Sequence, residues 1–321
     1  MQDPEDRPLL ASVRTHSLSV VVPVYNSEGS LPELCSRLSG VLPEVAERYE
    51  LILVNDGSRD GSWGVIKEQR TKYAWVRGIN LMRNYGQHNA LLCGIREATG
   101  GVIITMDDDL QHPPEEIPKL LAKLAEGHDV VYGTPEHMQH GFFRNLASFV
   151  TKVALQSAMG AKTAKKVNAF RAFRRDVREA FAEYRSPFVS IDVLLTWGTT
   201  RFSAVPVRTE PRRVGKSNYT FGKLLTHALN MMTGFSTLPL QLASWIGFFF
   251  TLFGLAVFTF ALVNYFIHGG SVPGFTFLAS VIAIFSGAQL FALGIIGEYL
   301  ARMHFRTMDR PTYVLRKEND E

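Results

Sequence analysis

Residues 102–111 read VIITMDDDLQ, a short apolar and β-branched run that ends in three consecutive aspartates. The run predicts a buried strand, and the aspartates begin where that strand ends. In extended backbone Asp107 and Asp109 point the same way, and Gln111 follows two residues later. Because adjacent carboxylates repel one another, a cation that prefers oxygen ligands, such as Mg²⁺ or Mn²⁺, would stabilise them. An acidic turn or helix cap before Pro113 is the structural alternative.

The same order, an apolar strand and then polar residues, recurs through the first part of the chain. Predicted strands cover residues 18–24, 50–54, 76–81, 102–106 and 129–132. Predicted helices lie between them, over residues 28–48, 62–73, 87–98 and 113–126. Alternating strands and helices predict an α/β fold, an open and mostly parallel sheet with helices on both faces.

Polar residues stand directly after four of these strands, at Asn26, at Asp56, at Arg83-Asn84 and at residues 107–111. Ligands bind beyond the carboxyl ends of the strands in such sheets, so we expect these residues to line one site. In the turn Asn55-Asp56-Gly57-Ser58, Asp56 can accept a hydrogen bond from a base N–H, while the glycine lets the backbone come close. The same four residues also suit an ordinary tight turn.

The C-terminal third has a different composition. From Leu224 to Gly297 there is no Asp, Glu, Lys or Arg, although the surface of a soluble domain of that length carries charge. Residues 238–267 and 275–297 are each long enough to cross a bilayer, which takes about 20 apolar residues. Basic residues flank the pair and the turn between them is uncharged, so both flanks are predicted to be cytoplasmic. Two buried helices of a soluble protein are the alternative.

A basic segment precedes these spans. Met138–Arg175 contains eight Lys or Arg residues and no Asp or Glu, with aromatic and aliphatic residues at roughly helical spacing. This pattern predicts an amphipathic helix on a membrane surface that carries anionic headgroups. A surface helix that is only locally basic is the alternative. Residues 222–237 suit a second interfacial helix that leads into the first span.

We therefore divide the chain into five parts. They are an N-terminal tail (1–16), a cytoplasmic domain (17–210), an interfacial loop and helix (211–237), two transmembrane helices (238–300) and a cytoplasmic C-terminal tail (301–321). Cys35 and Cys93 lie in different segments without metal-ligand spacing, which predicts two buried thiols in a reducing compartment. The net charge of +4 is small, and we expect no nucleic-acid partner. Whether the chain forms a homo-oligomer is left open.

Three strings resemble a known family: Val22-Pro23-Val24-Tyr25-Asn26, Val54-Asn55-Asp56-Gly57-Ser58, and Asp107-Asp108-Asp109-Leu110-Gln111 followed by Pro113-Pro114-Glu115. Together they resemble the inverting glycosyltransferases of family 2. Within that family the chain is similar to the polyprenyl-phosphate sugar synthases, through residues 83–88, residues 171–175 and the two C-terminal spans. The resemblance covers nearly the whole chain.

The resemblance implies a nucleotide-sugar-binding domain of the GT-A type, followed by interfacial helices and two transmembrane helices. It implies a nucleotide-sugar donor, with UDP as the preferred nucleotide, polyprenyl phosphate as the acceptor, and Mg²⁺ or Mn²⁺ as the cofactor. The location it implies is the inner (cytoplasmic) membrane of a bacterium or archaeon, among membrane lipids, with a multi-pass anchor and a cytoplasmic catalytic domain.

The resemblance also implies roles for individual residues. The implied donor-binding residues are Pro23, Tyr25, Asn26, Asp56, Arg83, Gln87 and Asp107. The implied metal ligands are Asp107, Asp109 and Gln111, and the implied catalytic residues are Asp108, Asp109 and Arg144. The implied acceptor-phosphate residues are Arg144, Ser148, Arg171, Arg213, Lys216 and Ser217.

Two departures from the family pattern affect these roles. Asn55 stands where the family often has a first Asp, and Asn218 takes the Lys position of the late Gly-x-Ser-Lys-Tyr loop. Lys216 lies two residues earlier, which leaves open which cation meets the phosphates. Two rival functions are a processive polysaccharide synthase and an inactive membrane scaffold. The first usually has a Gln-x-x-Arg-Trp box and more spans, whereas the intact acidic triplet argues against the second.

Overall fold

The computed structural model of the chain describes residues 14–136, 167–210, 238–268 and 274–317. Its centre is a seven-stranded sheet in the order β3-β2-β1-β4-β6-β5-β7. The strands are β1 (Thr15–Val24), β2 (Ala46–Asn55), β3 (Val76–Asn80), β4 (Val102–Thr105), β5 (Val130–Pro135), β6 (Arg171–Arg174) and β7 (Phe202–Val207). Only β6 runs antiparallel to its neighbours within this sheet, so the predicted mostly parallel α/β sheet is confirmed.

Helices cover both faces of the sheet. They are α1 (Leu31–Val45), α2 (Ser62–Lys72), α3 (Gln87–Glu97), α4 (Ile117–Ala125) and α5 (Ile191–Gly198). Side chains alternate along a strand, so Val20 and Val22 face the layer of α1, α2 and α4, while Val21 faces the layer of α3 and α5. Both layers are buried, which explains the nearly continuous apolar runs of the central strands.

One predicted boundary is wrong. The helix predicted over residues 28–48 ends at Val45, and β2 begins at Ala46. Ala46 pairs with Thr15 of β1. Backbone pairing with β1 therefore begins before the predicted strand, in polar residues whose sequence shows no strand pattern. Backbone pairing with an existing strand outweighs the local preference there.

The end of the basic segment lies inside the sheet. Residues 137–166 lie outside the described residues, so an interfacial helix over that part stays a prediction. Residues 171–174 form β6, which is inserted between β4 and β5, and Phe170, Ala172 and Phe173 beside or within it are fully buried. The predicted surface segment therefore extends too far at its C-terminal end, because its last residues complete the core.

Two long apolar helices follow, α6 (Leu238–His268) and α7 (Phe275–Thr307). By length and composition Pro239–Ile267 and Ile284–His304 are candidate membrane spans, with mean hydropathies of 2.4 and 1.4. The two helices pack together, with the ring of Phe285 centred 5.4 Å from that of Phe250. Residues 211–237 and 269–273, which include the predicted interfacial helix and most of the loop between the spans, lie outside the described residues.

Residues 301–317, the described part of the predicted C-terminal tail, lie against the domain. The first of these residues continue α7 to Thr307, and the chain then returns to the free edge of β3. Leu315 forms an antiparallel bridge with Leu81, directly after β3. Unpaired N–H and C=O groups on a sheet edge readily accept such an extra strand.

Candidate active site

The carboxyl ends of β1, β2 and β4 meet at one edge of the sheet, as the parallel order requires. The N–H of Asn26 donates to the Ser58 hydroxyl over 3.0 Å, which joins the loops after β1 and β2. The N–H of Tyr25 donates to an Asp108 carboxylate oxygen over 3.4 Å, which joins the loops after β1 and β4. The Gln87 side chain donates to Asp107 over 2.7 Å. The polar residues that were predicted to form one site are thus brought together.

Asp56 is buried and organises the loop that leads into α3. Its two carboxylate oxygens accept the backbone N–H groups of Tyr85 and Gly86, over 2.7 and 2.8 Å. Burial raises the pKa of Asp56, against the opposing effect of these two hydrogen bonds and of the Arg83 charge. A carboxylate has about four acceptor positions, so contact with a nucleobase, the role predicted for Asp56, is compatible with this loop-holding role.

Gly57 meets the same loop at very short range. Its φ is +66°, and a Cβ atom at this position would lie 2.5 Å from the backbone N of Asn84 and 2.6 Å from the carbonyl carbon of Arg83. Any side chain would therefore push the Arg83-Asn84 backbone away. The structure thus gives Gly57 a structural reason to lack a side chain, and a close approach of this backbone to a bound base stays a prediction.

We expect Gly57→Ala to lower both the melting temperature and the affinity for a nucleotide. The positive φ alone costs about 1–2 kcal/mol for a residue with a Cβ, and the contact with Asn84 adds to it. Gly64→Ala, inside α2 with nothing within 4 Å of the added carbon, is the matched control and should be neutral or mildly stabilising. Thermal unfolding and UDP titration measure both effects, and equal behaviour of the two variants would contradict the expectation.

The three aspartates after β4 have different surroundings. Asp108 turns toward β1, where one of its carboxylate oxygens accepts the N–H of Tyr25. Burial, helped by the charge of Asp109, raises the pKa of Asp108 to about 6. One oxygen of Asp109 accepts the backbone N–H of Gln111 over 3.1 Å. Asp108 thus secures the turn to β1, and its predicted catalytic role stays a prediction.

The oxygen donors at this edge suit a divalent cation that arrives with a substrate. Among the described residues no group of three His, Cys, Asp or Glu side chains could hold a metal ion by itself. Mg²⁺ is typically bound by one or two carboxylates together with substrate phosphates, and Asp107 and Asp109 supply two carboxylates. Gln111 uses its backbone N–H for Asp109 and its backbone carbonyl for Glu210, so metal binding by its side chain stays a prediction.

Arg171 is not placed where an acceptor phosphate could reach it, which corrects the role predicted for it. Its side chain is buried on β6, where Nε donates to the Thr105 hydroxyl over 2.8 Å and the guanidinium forms an ion pair with Asp192. The Tyr132 hydroxyl donates to the same Asp192 oxygen over 3.2 Å. Arg171 therefore belongs to a buried polar network beneath the end of β4, because a buried guanidinium needs a charged partner.

The other predicted residues divide into two groups. Pro23 is buried near the end of β1, Tyr25 and Arg83 are exposed at the site, and the Arg83 guanidinium lies 4.3 Å from the ring centre of Tyr85. The predicted acceptor residues outside the described part of the chain are Arg144, Ser148, Arg213, Lys216 and Ser217. Their roles stay predictions.

Sequence reasoning missed two features of this edge. The ring of His112 stacks on Phe170 with centres 5.4 Å apart, and burial lowers the pKa of His112. Asp192 was also missed, although a single carboxylate in the apolar stretch Ile191–Leu195 is a signal of a buried partner. His112 directly follows the Gln111 string, but its identity alone did not indicate that it would pack against the sheet.

A mostly parallel sheet with one reversed strand, whose fourth strand is followed by carboxylates, is the architecture of glycosyltransferase domains of the GT-A type. Residues 19–181 match the family described as Glycosyl transferase family 2. The chain belongs to that family and is a glycosyltransferase, as the resemblance implied.

Two relatives share the length of the chain as well as the domain. Both are named undecaprenyl-phosphate 4-deoxy-4-formamido-L-arabinose transferase. The protein of Shewanella sediminis (strain HAW-EB3) is 36% identical over 299 residues, 92% of this chain and 90% of that protein. The protein of Enterobacter sp. (strain 638) is 34% identical over 305 residues, 94% of this chain and 93% of that protein.

Solved structures agree on the fold. Glucosyl-3-phosphoglycerate synthase from Mycobacterium tuberculosis, in complex with Mn²⁺ and UDP-glucose, has a TM-score of 0.53 and 16% identity, covering 73% of this chain and 82% of that chain. A structure described as a mycobacterial protein also has a TM-score of 0.53, at 17% identity, covering 70% and 76%. At such identities the similarity concerns the fold alone.

Proposed function

We propose that this glycosyltransferase transfers one sugar from a UDP-linked donor to polyprenyl phosphate, with inversion at the anomeric carbon. The observation that carries the proposal is a carboxylate-bearing strand end on a domain that continues into two helices long enough to cross a membrane. The relatives are named as transferases that act on undecaprenyl phosphate, and a protein of the same fold binds UDP-glucose with Mn²⁺. Both facts support this choice of donor and acceptor.

The chemistry follows from the charges of the substrates. A phosphate monoester is already anionic near neutral pH, so the acceptor needs no strong general base. Asp107 and Asp109 would hold Mg²⁺ or Mn²⁺, which neutralises the charge of the leaving diphosphate when it is bound. Asp56 keeps the loop before α3 in place, and Gln87 orients Asp107. Direct displacement by the acceptor oxygen then inverts the anomeric carbon.

The end of α7 lies next to the catalytic domain, which supports a cytoplasmic domain on an inner-membrane anchor. The Arg302 guanidinium lies 4.7 Å from the ring centre of Phe188, and Arg185 pairs with Asp309 over 3.8 Å. Under the positive-inside rule, the basic residues at this end support a cytoplasmic location for it and for the domain. Two membrane crossings and an outward-facing loop around residues 268–274 complete this proposed topology.

The direct test incubates membranes that contain the full chain with polyprenyl phosphate and a panel of nucleotide sugars. Mass spectrometry of the lipid should show one added sugar and no polymer, and the added mass identifies the sugar. Membranes with the Asp107→Asn variant at equal abundance are the matched control and should give no product. A polymer would favour the processive synthase, and the absence of product from every donor would contradict the proposal.

We expect Arg144→Ala to impair use of the lipid acceptor selectively. Arg144 lies between Phe142-Phe143 and further apolar residues of the basic segment, which suits binding at headgroup depth. A charge-assisted bond to phosphate contributes about 1.5–3 kcal/mol, so the apparent KM for polyprenyl phosphate should rise roughly tenfold to a hundredfold. The donor KM should change little.

Lys152→Ala, in the same segment, is the control for general attraction to anionic lipid. That attraction is worth about 1 kcal/mol per basic residue, or roughly fivefold in binding. If Arg144→Ala weakens donor binding but uses the lipid normally, its assignment to the acceptor is wrong.

A further inference from the structure

The chain beyond α7 adds a short strand to the sheet. Residues 312–316, here called the tail strand, run antiparallel to the end of β3. The N–H of Met82 donates to the carbonyl of Val314 over 2.9 Å, and the N–H of Arg316 donates to the carbonyl of Asn80 over 2.8 Å. Leu81 and Leu315 are the bridged pair between these two bonds. The tail strand thus covers an edge that would otherwise be open.

Side chains of the domain hold the start of the tail strand. The Asn89 side-chain amide donates to the carbonyl of Thr312 over 2.8 Å, and Thr312 is only 6% exposed. Tyr313 packs against the core layer of α3, and the guanidinium of Arg96 lies 5.8 Å from its ring centre. Asn89 and Arg96 both lie on α3, so the tail strand is attached to the helix that follows the candidate active site.

The edge that the tail strand covers leads directly into the site. Residues 82–87, here called the donor loop, connect β3 to α3. Asp56 holds the donor loop at Tyr85 and Gly86, and Asp107 accepts from Gln87. Val314 of the tail strand accepts the N–H of Met82, the first residue of the donor loop. The donor loop is therefore secured at its start by the C-terminal segment and at its end by the carboxylates of the site.

The link between the tail strand and the candidate membrane span is short. Four residues, 308–311, separate the end of α7 at Thr307 from Thr312. At about 3.6 Å per residue this stretch spans at most about 18 Å. The end of α7 and the tail strand are therefore joined by a short stretch of chain.

We propose that the tail strand is a positioning element for nucleotide binding, which pre-orders the donor loop and ties it to the end of the second apolar helix. Local segments with few contacts open more easily than the core, and a loop ordered before binding loses less entropy when its ligand arrives. The identity of the ligand rests on the proposed function, whereas the ordering of the donor loop does not.

The test uses Arg316→Pro and Arg316→Ala in the full-length protein, in detergent or nanodiscs. Proline removes both the N–H that bonds to Asn80 and the guanidinium that donates to the Met82 carbonyl over 3.4 Å, whereas alanine keeps the N–H and removes only the guanidinium. Hydrogen exchange over residues 80–87 reads the order of the donor loop. Titration with UDP in the presence of Mn²⁺ reads nucleotide affinity.

In Arg316→Pro we expect faster exchange over residues 80–87 and a Kd for UDP raised roughly twofold to tenfold, since the backbone hydrogen bond to Asn80 is lost together with the longer side-chain bond to Met82. The apparent KM for polyprenyl phosphate should stay within about twofold of the wild type. Arg316→Ala loses only the long side-chain contact to Met82, so it should lie closer to the wild type than to Arg316→Pro in exchange and in UDP affinity. If the proline variant does not fold, Tyr313→Ala should show the same pattern and Tyr313→Phe should restore it.

Two results would overturn the proposal. One is unchanged exchange over residues 80–87 in the proline variant, and the other is faster exchange with unchanged UDP affinity. If the wild type binds no UDP, the UDP-linked donor is wrong, and the exchange data alone then decide whether the tail strand orders the donor loop.

Discussion

Asp109→Asn should lower kcat/KM for sugar transfer by about a thousandfold and leave the melting temperature unchanged. The substitution keeps the shape of the side chain but removes one of the two carboxylates available to a divalent cation at the end of β4. A metal ion contributes several kcal/mol to stabilising the charge that develops on a leaving group, which corresponds to a factor of about a thousand. One Asp109 oxygen also accepts the N–H of Gln111, and an amide oxygen can still accept it.

Metal binding gives this prediction a second readout that does not depend on turnover. Titration of Mn²⁺ in the presence of UDP should show a weaker affinity in Asp109→Asn. Asp176→Asn, the same change at an exposed carboxylate in the 3-10 turn Arg175–Phe181, should match the wild type in both assays. Full turnover of the wild type in excess chelator would refute the need for a metal.

Asp192→Ala should destabilise the domain by about 3–5 kcal/mol, because it leaves the guanidinium of Arg171 buried without its charged partner. The side chains of Arg171 and Asp192 are only 2% and 10% exposed, so water cannot replace the lost carboxylate. The Tyr132 hydroxyl would lose an acceptor at the same time. Calorimetry or a fluorescence melt of the purified protein measures the effect, which for a domain of this size amounts to roughly 10 °C.

Two further variants separate the buried charge from the packing around it. Asp192→Asn keeps an acceptor for the Tyr132 hydroxyl and should cost less than the alanine variant. Replacing both partners, with Arg171→Met and Asp192→Leu together, should recover much of the lost stability, since neither charge then remains buried. If Asp192→Ala has the same melting temperature as the wild type, Arg171 does not depend on this partner.

Several elements of the fold could be predicted because their signal is local. The predicted strand over residues 18–24 lies within Thr15–Val24, and that over residues 102–106 appears as Val102–Thr105. Central parallel strands are buried on both faces, which demands continuous apolar runs that are visible in the sequence. The contacts of Asp56 with the loop after β3, and of Tyr25 with Asp108 after β4, follow from the same topology, since parallel strands end at one edge.

The partners of individual side chains were not predictable in the same way. Asp56 was expected to contact a base, and the structure adds that its oxygens hold the N–H groups of Tyr85 and Gly86. The family resemblance had implied a role at the acceptor phosphate for Arg171. Its ion pair with Asp192 joins residues 21 positions apart and depends on the packing of β6 against α5.

The sequence alone determined the class of fold, the edge that carries the site, and the two apolar helices, because burial and membrane length act on every residue of a segment and leave a repeated pattern. Tertiary structure alone decided the reversed strand β6, the early start of β2 and the docking of residues 312–316 on β3. Backbone hydrogen bonds form these three features, and the N–H and C=O groups that make them are nearly the same in every residue. Such pairings depend on which edge is open nearby, so they become visible only when the whole chain has folded.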